Sequence, residues 1–213
     1  MRKEKRPSKF KLIVLTHISN NLKEYLTVAI LFLIGVILGV IFINNMGEAN
    51  QTEVSNYINQ FLTVIKDNST IDKVELMKNT IKDNIVLAVS LWFVGSTVIG
   101  IPIVYGIVAF RGFCLGYTIS SLIATLGTGK GIMFALTSIL FQNILFIPCV
   151  LALAVSGIKL YKSIMKDKRK ENIKTEIIRH TLFSLFMTIV LVLSAVIEVY
   201  VSTNLLMSYV KYI

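Results

Sequence analysis

The stretch Phe110-Arg111-Gly112-Phe113-Cys114-Leu115-Gly116-Tyr117-Thr118 carries one charge, and its surroundings carry almost none. Ile85–Phe110 is an uncharged run of 26 residues, Gly112–Gly129 is another of 18, and Gly131–Ile158, beyond Lys130, is a third of 28. A helix needs roughly 20 apolar residues to cross the hydrocarbon core of a bilayer. Backbone amides in lipid must be satisfied within the segment, so runs of this kind are helices and not strands. With Arg111 and Lys130 read as turns, residues 85–158 become three crossings joined by two short turns, a tight three-helix membrane unit.

Composition points the same way. The 213 residues are 54% hydrophobic, with a mean hydropathy of +0.72. A soluble domain would show amphipathic periodicity in place of long uncharged runs. The 22 basic against 12 acidic residues do not mark a nucleic-acid binder, because 15 of the 22 bases fall before residue 25 and from 159 to 180, where they flank apolar runs. That is the positive-inside pattern. Neither segment offers an aromatic stacking platform or a nucleic-acid-binding motif, so no nucleic acid is expected as a partner.

Working outward, residues 1–25 form a basic cytoplasmic segment whose Phe10, Leu12, Ile13, Leu15 and Ile18 suit either a membrane-surface helix on anionic lipid or a solvated tail. Residues 26–43 are the first span, with Gly35-x-x-x-Gly39 as a face for close helix packing. The leader before it is long for a cleaved signal, so the segment is read as retained. Residues 44–84 are the polar stretch on the far side, with net charge −2. Within it Val54, Tyr57, Ile58, Phe61, Leu62 and Ile65 recur at helical spacing. Ser69 or Thr70 would cap a second helix carrying Ile71, Val74, Met77 and Ile81. These faces suit packing on the bundle, and the outward residues Gln60 and Lys73 are candidates for docking a partner. Gly100–Pro102 predicts a bend in the second span, and Trp92 is placed just inside the outer boundary. Residues 159–180 return eight bases to the cytoplasm, and 181–213 form the last span and an external end. The expected fold is all-α: a polytopic bundle of five spans, amino end cytoplasmic, with a small external helical insert.

Little chemistry is visible. Gly127-Thr128-Gly129-Lys130-Gly131 fails as a phosphate loop, since it has neither the earlier glycine nor a hydroxyl after the lysine. Cys114 and Cys149 lie within helices and suit small apolar packing. His17 and His180, without thiolate or carboxylate company, make no metal site. No nucleophile–base motif is present, so no enzyme and no cofactor are expected. Glu198 is the one carboxylate within a span, and such residues normally face the bundle. The reading is an interhelical polar clamp with Lys130 or helix amides. Arg111 reaches Glu198 only if the helix near Pro102 is broken and draws it inward.

Asn84-Ile85-Val86-Leu87-Ala88 leading to Gly95, the segment Arg111-Gly112-Phe113 with Leu115-Gly116-Tyr117-Thr118, Gln142-Asn143, Pro148 and Ile197-Glu198-Val199-Tyr200 resemble the stage II sporulation protein M family over nearly the whole chain. Arg111, Gly112, Gly116, Gln142, Asn143, Pro148 and Glu198 are the residues that carry the likeness. Broader members of the family often have His-Gly and Glu where this chain has Gln142-Asn143 and Phe146, so a role tied to that acid does not transfer. The resemblance implies a membrane protein of endospore formation, in the sporulation septum and the engulfing membrane of the mother cell. It implies a scaffold for two peptidoglycan-degrading enzymes, the stage II sporulation proteins D and P. A small membrane transporter or channel, oligomeric, is the alternative.

Overall fold

The computed structural model describes residues 18–66, 72–97, 99–166 and 170–210, and every regular element among them is helical. In chain order they are α1 (Leu22–Asn44), α2 (Glu48–Lys66), α3 (Lys73–Gly95), α4 (Gly100–Leu126), α5 (Thr128–Ala135), α6 (Phe141–Lys166), α7 (Lys170–Ile197) and α8 (Thr203–Val210). Two π-helical turns, Leu136–Leu140 and Glu198–Ser202, join α5 to α6 and α7 to α8 without breaking either rod. Four helical stretches are long and apolar enough to cross a membrane: α1, α4, Phe141–Met165 and Ile173–Val210. Their outward faces are apolar, as Leu33, Ile37 and Ile41 of α1 and Leu182, Leu185 and Ile189 of α7 show. The protein is a helical membrane bundle.

The chain directions alternate. Gly35 of α1 lies against Ala109 and Gly39 against Phe113–Tyr117, so α1 and α4 run parallel. Asn84 meets Leu191 and Trp92 meets Thr181, so α3 runs antiparallel to α7. Gln142 meets Glu198 and Ser156 meets His180, so α6 does too. One end of the bundle gathers Lys23, Lys159, Lys162, Lys174 and Arg179, and there Lys162 Nζ binds Glu24 Oε1 at 2.6 Å, tying α6 to α1. The turn after α3 lies at this basic end.

Small residues set the closest approaches. A Cβ added at Gly35 would run into the Ala109 carbonyl, and one at Gly39 into the Phe113 carbonyl. One at Gly112 would meet the Phe32 carbonyl, and one at Gly116 that of Val36. The predicted Gly35-x-x-x-Gly39 face is therefore met by an equal pair, Gly112-x-x-x-Gly116, on α4. Two of the residues that carry the family likeness are explained by packing: they let α1 lie backbone to backbone on α4. Gly95 and Gly157 do the same for α3 and α6, each Cα within 2.9 Å of the other's would-be Cβ.

The turn expected at Arg111 is elsewhere. α3 stops at Gly95, and α4 runs unbroken from Gly100 through Arg111 to Leu126. Ser96 Oγ donates to the Trp92 carbonyl and Thr97 Oγ1 to that of Val94, both at 2.8 Å, so hydroxyls satisfy carbonyls at the helix end. Pro102 falls in the first turn of α4, where its missing N–H has no intrahelical partner to lose. Gly100–Pro102 therefore starts a helix instead of bending one. Trp92 is accordingly near the basic end, where Nε1 donates to Thr181 Oγ1 at 3.2 Å, and not near the opposite boundary.

The insert at 44–84 also differs from its reading. α2 is helical where the periodicity put it, and Ile58, Leu62 and Ile65 pack with Leu122, Phe134, Leu206 and Val210. Residues 73–84 are not a separate helix. They are the first half of α3, capped by Asp72 Oδ1, which accepts from Val74 N at 2.8 Å and Glu75 N at 3.1 Å. The expected caps Ser69 and Thr70, with Ile71 and His17, lie outside the described residues.

Candidate functional site

Moving the turn to 96–99 changes the depth of Arg111. It is 11 residues beyond Gly100, about 17 Å along α4 at 1.5 Å per residue, or near the middle of a ~30 Å hydrocarbon layer. Asp83, read as part of the external insert, is 12 residues before Gly95, about 18 Å from the same turn. The two sit level, on adjoining helices. Between them and α6 lies a cavity of about 280 Å³ whose polar walls include Asp83, Asn84, Arg111, Thr118, Gln142, Asn143 and Glu198.

Each wall has a local cause. Glu198 opens one π-helical turn, and Gln142 follows the other by two residues; the two turns pack against each other. A π turn widens the helix and redirects the side chains around it, and such turns recur at functional sites. Here the carbonyls they displace are met by side chains. Asn143 Nδ2 donates to the Ile139 carbonyl at 2.8 Å, and Thr203 Oγ1 to the Glu198 carbonyl at 3.2 Å. Gln142 Nε2 donates to Glu198 Oε2 at 2.5 Å, and Ser194 Oγ donates to the Gln142 carbonyl at 3.0 Å. Buried Asn84 donates Nδ2 to the Leu191 carbonyl at 2.9 Å. Arg111 places its guanidinium carbon 5.4 Å from the Phe146 ring centroid, inside the ~6 Å range of cation–π attraction.

The Glu198 clamp exists, but its partner is Gln142, not Lys130. Lys130 stands in α5 beyond the Gly127 turn, on the exposed surface, where its carbonyl accepts from Tyr209 Oη at 3.4 Å. Gln142, Asn143, Glu198 and Arg111 thus come together, while Gly112 and Gly116 face α1 and Pro148 lies exposed on α6. Gln60 is exposed on α2, and Lys73 is engaged by Asn204 Oδ1 at 2.8 Å. Cys149 packs in the apolar core as expected, whereas Cys114 lines the cavity. His180 is buried: Nδ1 lies 2.8 Å from Ser156 Oγ, and Nε2 3.4 Å from the Trp92 carbonyl.

The reading of the sequence missed Asp83, and had Asn84 only within the family likeness. The signal was Thr80, Asp83, Asn84, Leu87 and Leu91 at i, i+3, i+4, i+7 and i+11, one helix face running from polar into apolar. The cavity joins hydrogen-bond donors and acceptors of both charges, and no histidine lines it.

The fold and site define a class: a helical membrane protein with a cluster of polar side chains set among its apolar helices. Within that class, the chain matches stage II sporulation protein M over residues 28–203. It belongs to the stage II sporulation protein M family, and is a sporulation-related membrane protein. It is also similar to an uncharacterized protein of Methanocaldococcus jannaschii, 30% identical over 179 residues, which cover 82% of this chain and 91% of that one. No solved structure matches it.

Proposed function

We propose that the chain is a non-enzymatic integral membrane scaffold of the engulfment machinery. In this reading it crosses the membrane five times, through α1, α3, α4, α5–α6 and α7–α8, with its basic end in the cytoplasm. It holds peptidoglycan-degrading enzymes, the stage II sporulation proteins D and P, at the septal and engulfing membrane of the mother cell. The observation that carries the reading is that apolar packing flanks the polar cavity on both sides along the bundle. Toward the basic end Leu87, Leu91, Val150 and Leu153 pack in one apolar cluster, and toward the other end Leu122, Phe134 and Leu206 pack in a second. A conduit needs a polar path through both. This arrangement suits binding, and family membership supplies the process.

Gln60, exposed on α2, is the better docking candidate, because Lys73 is already held by Asn204. A photo-crosslinking residue at Gln60, or at the exposed neighbours Asn56 and Thr63, should capture a peptidoglycan hydrolase in sporulating cells. Failure from all three, in protein that inserts normally, would count against the scaffold. One observation favours the transporter reading: Asn143 and Glu198 share one cavity. Flux through liposomes holding the purified protein separates the two, and the scaffold predicts none.

A further inference from the structure

We infer that the groove between α3 and α4 is the interface of a homodimer, in which Arg111 of each copy pairs with Asp83 of the partner subunit. The two helices are joined at the 96–99 turn and diverge above it, leaving a groove of about 600 Å³ lined by α3 and α4 alone. Asp83 and Arg111 line both this groove and the polar cavity, so the two spaces adjoin. Among the described residues neither side chain is within ion-pair distance of an opposite charge. A charge at mid-bilayer costs about 2.5–3.5 kcal/mol on insertion scales, so an acid and a base left open to lipid there call for a cover.

The surrounding surface also calls for one. Above Asp83 the outward face of α3 carries exposed Lys78, Asn79 and Lys82, poor company for lipid chains. Below it the groove is apolar, with Ile103 and Phe110 exposed on its wall. Gly106 has nothing within 4 Å of a would-be Cβ, which leaves room for a helix to approach.

A second copy fits this groove because its charges are self-complementary. Asp83 is on one wall and Arg111 on the other, at the same level. A two-fold axis along the membrane normal carries the left wall of one copy onto the right wall of its partner without changing height. Both Arg111–Asp83 pairs then form together, as an isologous interface requires. A foreign helix would have to present both charges, in reversed order, at that one depth.

The test is a charge exchange between copies, read by single-molecule photobleaching in native membranes. Asp83→Arg expressed alone faces base with base, and Arg111→Asp alone faces acid with acid. Each should lose dimer by about tenfold or more, since a buried pair is broken. Co-expressed, the two variants restore both pairs, and the mixed dimer should return to wild-type abundance. A pair formed within one chain would be broken in both variants and gain nothing from mixing. Wild-type protein that is monomeric, variants that stay dimeric alone, or mixing without rescue would each overturn the proposal. Should either variant fail to insert, Asp83→Cys and Arg111→Cys on differently tagged copies, with Cys114 and Cys149 replaced by Ala, give a milder arm. A disulfide between tags supports the interface. A disulfide only when both cysteines share one chain, or no disulfide at all, overturns it.

Discussion

Gly116→Ala isolates the contact between α1 and α4. A Cβ there would stand 2.8 Å from the Val36 carbonyl carbon and 2.9 Å from its Cα, besides meeting the carbonyl oxygen. These are backbone atoms of a helix, so no side-chain rotation relieves the overlap and α1 must withdraw. Retreat loosens the rest of the seam, where Gly39 meets Phe113 and Tyr117 and the Phe42 ring lies 5.6 Å from that of Phe113. Overpacking of this kind costs typically 1–3 kcal/mol. For a chain of this size that lowers the melting temperature by about 2–12 °C. A thermal-aggregation assay of a fluorescent fusion in detergent reads the shift. Gly129→Ala is the control, because nothing lies within 4 Å of its would-be Cβ. It should leave the melting temperature unchanged or slightly raised, alanine being the better helix former. Gly116→Ala melting with the control would refute the backbone-to-backbone packing.

The remaining predictions concern the polar site and the course of the chain. Glu198→Gln keeps a hydrogen-bonding group opposite Gln142, so membrane abundance and engulfment should persist; Glu198→Leu strands Gln142 at a cost of about 1–3 kcal/mol and should lower abundance. An abundant, correctly inserted Glu198→Gln variant that blocks engulfment would show that the carboxylate itself is used. Cysteine placed at Ser96 should react with a polar thiol reagent from the cytoplasm, while cysteine at Arg111 should react far more slowly; equal rates would return the turn to Arg111. Cysteines at Lys5 and Lys170 should label only from the cytoplasm and those at Gln60 and Lys211 only from outside, and an outside Lys170 would sink the five-span topology.

How far the sequence could be read depended on where its charges stand. The long uncharged runs marked a helical membrane bundle, the Gly35-x-x-x-Gly39 pair marked a packing face, and the spacing of Ile58, Leu62 and Ile65 marked the buried stripe of α2. The errors share one assumption, that a charge beside an apolar run belongs in water. Arg111 reads as a turn because it is charged, although Ser96, Thr97, Gly100 and Pro102 carry the helix-end and helix-start chemistry. Asp83 was assigned to an external insert on the same ground. In the folded protein both line one cavity, at similar distances from the 96–99 turn, and Arg111 rests on Phe146. That placement is tertiary. It needs α6 to bring Gln142 and Phe146 against α4 and α7, which no local pattern records. The Gly112-x-x-x-Gly116 pair was legible by the same rule as its partner, but its place in the family likeness drew attention away from packing.

The scaffold itself is tested most directly by isolating the chain, intact and tagged at its cytoplasmic end, from membranes of sporulating cells. Quantitative mass spectrometry of the purified material then counts its companions. The account predicts a peptidoglycan-degrading enzyme in an amount comparable to the chain. A chain that purifies without any such enzyme, and that moves solute across liposomes, would contradict it.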